Sequence, residues 1–169
     1  FDVCDAASTH EALSALSRSV DICVHGAGLE DSHLLMDKDP AILDLVLRTK
    51  LFGATHLIDA LGNQLKGFVG FSSVAGRFGN AGQVDYAAAN DALNKLVFHL
   101  NAEGKIHATS IDWTAWADVG MATRGSIQKI LEGIGVQLLP EAIGAEVLGE
   151  LLAVGVHNEV LVSGTMGDM

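Results

Sequence analysis

Short apolar runs alternate along this chain with longer stretches of helical period, and that alternation constrains the fold more than any other feature. A strand buried on both faces reads as a compact apolar run. A helix lying on a sheet shows apolar residues every three or four positions. Runs of the first kind occupy residues 21–25, 67–72, 107–113 and 159–163, with helical stretches between them. Ser8, Thr9 and Glu11 offer a cap for a helix over 8–17. Asp39 and Pro40 open a long helix that runs to about 61, where Gly62 and Asn63 stop it. Proline suits the first turn because its missing N–H has no helical partner there. Further helices are expected over 84–102, ended by Gly104, and over 140–154. Parallel strands need crossovers of this length, so the expectation is an α/β fold, a parallel sheet with helices on both faces.

The 169 residues suit one domain, 1–169, and the hydrophobic share of 49% supplies a core. Acidic side chains outnumber basic ones 21 to 10, a net charge of −11 that excludes a nucleic-acid module, because phosphates would repel this surface. Cys4 and Cys23 lie in apolar surroundings without a second pair, so neither a disulfide framework nor a metal site is indicated. No apolar stretch approaches the ~20 residues that span a bilayer, which points to a cytoplasmic protein without membrane contact. The chain opens on Phe1, with no initiator methionine or signal sequence, and reads as a segment of something longer. Between 117 and 139, Gly120, Gly125, Gly133 and Gly135 punctuate a weakly periodic stretch with room for a short helix around 126–131. It reads either as a lid over the carboxyl ends of the strands or as a surface excursion.

The long helix carries an apolar stripe at Leu43, Val46, Leu47, Gly53, Ala54, Leu57 and Leu61, and the helical period puts Lys50 in its middle. Such a lysine either snorkels to the rim or is desolvated for a purpose. A second polar group follows the strand over 67–72. Ser73 stands at the strand end, Gly76, Gly79 and Gly82 mark a loop, and Tyr86 falls in the first turn of the next helix. Asn90, four residues on, shares the face of Tyr86. Alone, Tyr86 would read as a hydrogen-bonded core tyrosine. A tyrosine and an asparagine facing inward beside a strand-end serine form a polar set that calls for a chemical reason.

Taken together, Ser73, Tyr86, Asn90 and Lys50 resemble the site of the short-chain dehydrogenase/reductase superfamily, and specifically the ketoreductase domains of modular polyketide synthases and related fatty-acid megasynthases. In commoner reductases of that superfamily a lysine follows the tyrosine by four positions and an asparagine sits on the preceding helix. Here Asn90 follows Tyr86 and Lys50 lies on the earlier helix, the exchange typical of the megasynthase domains. Val24-His25-Gly26-Ala27-Gly28 is similar to the glycine turn that runs along the cofactor. Ser110-Ile111-Asp112-Trp113, Trp116 and Gly120-Met121-Ala122 extend the match.

The resemblance implies a Rossmann-like three-layer fold and NADPH-dependent reduction of a β-ketoacyl thioester on an acyl carrier protein, within a synthase whose other domains are its partners. NADH is not excluded as the cofactor. Tyr86 is implied as general acid, Ser73 as second donor to the ketone oxygen, Lys50 as the cation that lowers the phenol pKa and binds the nicotinamide ribose, and Asn90 as its support. Cofactor contacts are implied at Asp2, Val3, Gly26, Ala27, Gly28, Lys50 and Tyr86. Substrate contacts are implied at Asp31, Phe78, Gln83, Trp113 and Met121. No G-x-G-x-x-G occurs; in the family it precedes the strand that contacts adenine, where this chain begins, so the fold is expected to be N-terminally incomplete. Asp31 matches one position of a Leu-Asp-Asp marker of product configuration, and inclines the reading to the class so marked. Glu30 and Ser32 depart from the marker, and Phe78 stands where the other class carries Trp. Two other readings compete: a reductase-like half-domain that only braces a partner, and a superfamily enzyme acting on a free alcohol, ketone or sugar.

Overall fold

The computed structural model describes residues 1–121, 127–133, 135–155 and 158–166. Four strands, β1 (Ile22–His25), β2 (Gly67–Ser73), β3 (His107–Trp113) and β4 (Asn158–Val162), form one parallel sheet in the order β1-β2-β3-β4. β1 and β2 pair in parallel with Ile22 opposite Gly67 and His25 opposite Gly70. The expected α/β architecture is therefore the one adopted, with strand bounds within one residue of the apolar runs. Helices α1 (Ala6–Ser14), α2 (Pro40–Leu47), α3 (Gly53–Leu61), α4 (Val74–Phe78), α5 (Val84–Glu103), α6 (Ile127–Gly133) and α7 (Glu141–Val154) complete the order.

The chain divides into two compact units, Phe1–Asp112 with His157–Val160, and Trp113–Val156 with Leu161–Met169. In the first, Ala54, Leu61, Leu65, Phe68, Leu93, Val97, Leu100 and Ala108 form the core, so α3 and α5 both contribute to it with β2 and β3. β2 and α5 are in close contact at Gly70, where an added Cβ would stand 2.9 Å from Leu93 Cδ2. In the second unit, Trp113 and Trp116 meet edge to face with ring centroids 5.0 Å apart, and Gly144 of α7 lies directly against the Trp116 ring. The base of the segment over 117–139 is closed by paired backbone bonds, Ala117 N–H to Leu139 O at 2.8 Å and Leu139 N–H to Ala115 O at 2.9 Å. Residues 122–126 and 134 of that segment, Ala122 and Gly125 among them, lie outside the described residues.

Three local expectations need correction. The helix over 40–61 is not one α-helix: a π-helical turn, Arg48–Phe52, separates α2 from α3. The first helix is capped by Asp5, whose carboxylate accepts from Ala7 N–H and Ser8 N–H, and not by Ser8 or Thr9. Thr9 is buried instead and donates to the Asp2 carbonyl. Finally, the stretch after β2 is not all loop, because Ser73 caps the short helix α4 by accepting from Ala75 N–H at 3.2 Å. Gly76 belongs to that helix and is there for contact: a Cβ on it would stand 2.9 Å from Asn90 Cβ and 3.0 Å from the backbone nitrogen of Asp91. Gly79, with φ +77°, ends α4, and Gly82, with φ +80°, turns the chain toward α5.

Candidate active site

Lys50 is buried at 4% exposure, so of the two alternatives open to a lysine in the apolar stripe it is the desolvated one that the fold adopts. The π turn puts both Thr49 and Lys50 on the inner side of the helix, the kind of local insertion that often marks functional positions in helices. Its ammonium donates to the Phe71 carbonyl at 2.8 Å, which anchors it near the carboxyl end of β2, two residues before Ser73. Burial pulls the Lys50 pKa down from 10.5 to about 8, so the side chain still carries its charge at neutral pH. Gly28 keeps the approach to that charge open: a Cβ there would stand 2.8 Å from Nζ.

His25 belongs to the site as well, although the resemblance of the run over 24–28 assigns it no role of its own. Its Nε2 donates to the Lys50 backbone carbonyl at 2.9 Å. Burial, then the neighbouring Lys50 charge, hold the imidazole pKa down at about 4, so the ring is neutral. The signal that could have found it is a histidine closing an apolar strand, a position where an ionised ring is not tolerated.

Tyr86 lies in the first turn of α5, and the Ser73 and Asn90 side chains are close enough to its phenol to favour the ionised form. Asn90 Nδ2 also donates to the Tyr86 backbone carbonyl at 2.8 Å, which fixes the amide over the turn that holds the phenol. Asn90 is fully buried, and its Oδ1 has no hydrogen-bond partner at bonding distance among the described residues. Burial raises the Tyr86 pKa; Ser73 and Asn90 oppose this, and the Glu30 charge adds to it. The expected lowering by Lys50 is not among the influences on the phenol. Tyr86 is thus a protonated acid at neutral pH.

Around this centre, Asp31 pairs with His33 at 3.0 Å, and Gln83 donates to Glu30 Oε1 at 3.0 Å and to Ser32 at 3.2 Å. Phe78 ends α4 and is exposed. Trp113 and Met121 belong to the second unit. Beside the π turn, where Cys4 Sγ lies 3.3 Å from Thr49 Oγ1, Asp2 accepts from Cys4 N–H at 2.8 Å. The Val3 carbonyl bonds with His56 Nδ1 at 2.8 Å, and the Val3 side chain packs on Gly53. Cys4 and Cys23 are free thiols, both partly buried. Behind the site lies a polar cluster that the sequence did not suggest. Ser72 donates to the Asn90 carbonyl at 3.3 Å, and Asn94 donates to Asp112 at 3.0 Å. Burial, then contact with the Glu159 carboxyl, raise the Asp112 pKa to about 6.

The family model described as the KR domain matches residues 1–118 of this chain. The chain belongs to the KR-domain family. KR-domain relatives include a polyketide synthase, ThaG, of Burkholderia thailandensis, 35% identical over 149 residues that make up 82% of this chain and 3% of that protein. A polyunsaturated fatty acid synthase polypeptide of a Thraustochytrium species is 38% identical over 136 residues, 80% of this chain and 5% of that protein. Among solved structures, A-type ketoreductases from a modular polyketide synthase superpose with a TM-score of 0.88 at 30% identity, covering 99% of this chain and 35% of theirs. The first ketoreductase of the tylosin synthase gives 0.83 at 30% identity, over 98% of this chain and 36% of that one. This KR-domain chain thus spans about a third of those structures and a few per cent of the synthases. No described helix is long and apolar enough to cross a membrane, and no described cluster of three or more His, Cys, Asp or Glu side chains could hold a metal ion.

Proposed function

We propose that this chain carries the catalytic part of a ketoreductase that uses NADPH to reduce a β-ketoacyl thioester, carried on the phosphopantetheine arm of an acyl carrier protein, to the β-hydroxyacyl thioester. The observation that carries the reading is the buried Lys50 ammonium bonded to the Phe71 carbonyl beside the strand end that bears Ser73, with the Tyr86 phenol under the influence of Ser73 and Asn90. A bracing half-domain has no use for a desolvated cation and an orphaned amide oxygen. The names of the relatives, polyketide and fatty-acid synthases, support the substrate class.

The residues fit a nicotinamide nucleotide. Gly28 leaves the Lys50 ammonium open to a hydroxyl acceptor, and Asn90 Oδ1 is a buried acceptor in want of a donor. Asp2, Val3, Gly26, Ala27, Gly28, Lys50 and Tyr86 would hold the cofactor. When bound, it supplies the hydride that reduces the ketone carbon. Charge then develops on the ketone oxygen, and Tyr86 and Ser73 both donate to it. The Tyr86 O–H bond breaks as the product O–H bond forms, with the electron pair left on the phenolate. Burial keeps the phenol protonated before the reaction, while Ser73 and Asn90 ease the phenolate afterwards. Asp31, Phe78 and Gln83 would border the acyl chain. The chain would work in the cytoplasm with the other domains of its synthase.

The test is NADPH oxidation with a β-ketoacyl thioester in the longest native polypeptide that carries this chain. Tyr86→Phe, which keeps the ring and removes the acid, should lower kcat by about 10²–10⁴-fold with the melting temperature unchanged. Unchanged turnover would remove Tyr86 from the acid role, and an inactive wild-type protein would sink the reading.

A further inference from the structure

Two segments far apart in sequence meet at a buried ion pair that the reaction itself does not use. Lys38 Nζ lies 2.8 Å from Asp85 Oδ1, with the two side chains 2% and 1% exposed. Each partner also holds a backbone group of its surroundings. Lys38 donates to the Asp31 carbonyl, and Asp85 Oδ1 accepts from the Tyr86 N–H at 2.9 Å. The second oxygen of Asp85 is buried with no hydrogen-bond partner among the described residues. Around the pair, the segment 30–38 is stitched to the segment 80–86. His33 N–H donates to the Gly82 carbonyl at 3.0 Å, Gln83 reaches Glu30 and Ser32, and Asn80 orients Gln83 at 2.9 Å.

The chemistry of this pair is unusual for a fold that only needs to be stable. Desolvating two charges costs roughly as much as their attraction returns, so an apolar pair of similar volume would serve stability as well. What an apolar pair could not do is fix direction. Gln83, the residue that precedes α5, makes no side-chain cap to it, so the carboxylate of Asp85 takes over that task at the N–H of Tyr86 itself. Through Lys38 the same carboxylate is tied to the backbone at Asp31.

We propose that Lys38 and Asp85 are positioning residues: their buried ion pair holds the first turn of α5, and with it Tyr86, in register with the 30–38 segment, so that a substrate lying along that segment meets the phenol in one orientation. The substrate part of this inference rests on the ketoreductase reading; the positioning of Tyr86 does not.

The experiment uses the longest native polypeptide, with both charges removed together as Lys38→Met/Asp85→Asn so that neither is left buried alone, and with Lys38→Arg as the conservative variant. Tyr86, the only tyrosine of this chain, is followed by the NMR signal of its labelled ring, assigned by its loss in Tyr86→Phe. In the folded double variant the ring signal should move and broaden. The product should change from one β-hydroxy enantiomer to a mixture, and kcat should fall about tenfold with KM nearly unchanged. Lys38→Arg should retain the wild-type values. A folded double variant with an unmoved Tyr86 signal and an unchanged product ratio overturns the proposal. So does a double variant that fails to fold, since the pair would then be structural. Should the wild-type protein reduce no thioester, the ketoreductase reading fails, while a shifted Tyr86 signal would still support the positioning role.

Discussion

His25 donates from Nε2 to the backbone carbonyl of Lys50 across 2.9 Å, and this bond joins the end of β1 to the π turn that buries the site's cation. A widened turn disturbs the regular helical ladder, and a buried carbonyl there needs a donor from elsewhere in the fold. The neutral imidazole is that donor. A charged ring would stand next to the Lys50 ammonium, and burial already disfavours it.

His25→Ala should therefore destabilise the fold by about 1–3 kcal/mol and loosen Lys50. The sign of the pH effect follows from the depressed value. An unfolded histidine titrates near 6.5 and the folded one near 4, so its contribution is present above pH 6.5 and is lost as pH falls toward 4. Thermal melts across pH 4–8 should show a shallower acid limb in the variant. An identical limb would remove His25 from the account.

Asp112 acts in the opposite sense over an overlapping window. Its folded pKa, about 6, lies above the ordinary 3.8, so stability is greatest below pH 3.8 and falls as pH rises through 6. Asp112→Asn should raise the melting temperature by a few degrees at pH 7 and change it little at pH 4. In the native chain the two groups mask each other, and only the single variants separate them. A melting temperature lowered at pH 7 would contradict the assignment.

Lys50→Met should give a more stable and inactive protein. Burial lowers the lysine pKa from 10.5 to about 8, so at pH 7 the folded state carries a charge it would rather lose. Stability of the native protein should rise with pH between about 8 and 10.5, and the advantage of the methionine variant should vanish above that window. Differential scanning calorimetry at pH 7 and pH 10 checks both ends.

Gly76→Ala tests the contact between α4 and α5. The added methyl meets Asn90 Cβ at 2.9 Å and the Asp91 backbone nitrogen at 3.0 Å, neither of which is the far end of a flexible side chain. Overpacking of this kind costs about 1–3 kcal/mol, and here it would also push on Asn90. The melting temperature and kcat should both fall, whereas Gly79→Ala, with open space around it but φ +77°, should affect stability alone.

Periodicity along the chain determined much of this protein. Four apolar runs became the four strands, and the stripe that includes Val46, Ala54, Leu57 and Leu61 is buried with Lys50 in its middle. Gly104, with φ +69°, ended α5 as a glycine past a helix should. Tyr86 and Asn90 share a helix face because they are four residues apart, and Ser73 stands at the end of β2. These are consequences of local geometry, which neighbouring residues decide among themselves. Other features depend on distant partners. The π turn exists where Lys50 and the β1 end must meet, Gly76 is a contact glycine only because α5 lies against it, and the Tyr86 pKa is set by burial more than by Lys50. Lys38 and Asp85 look like surface charges in the sequence, and only the packing of their two segments desolvates them. Sequence spacing reports which residues share an element, whereas burial, and the electrostatics that burial controls, come into being only when elements from different parts of the chain exclude water from the same place.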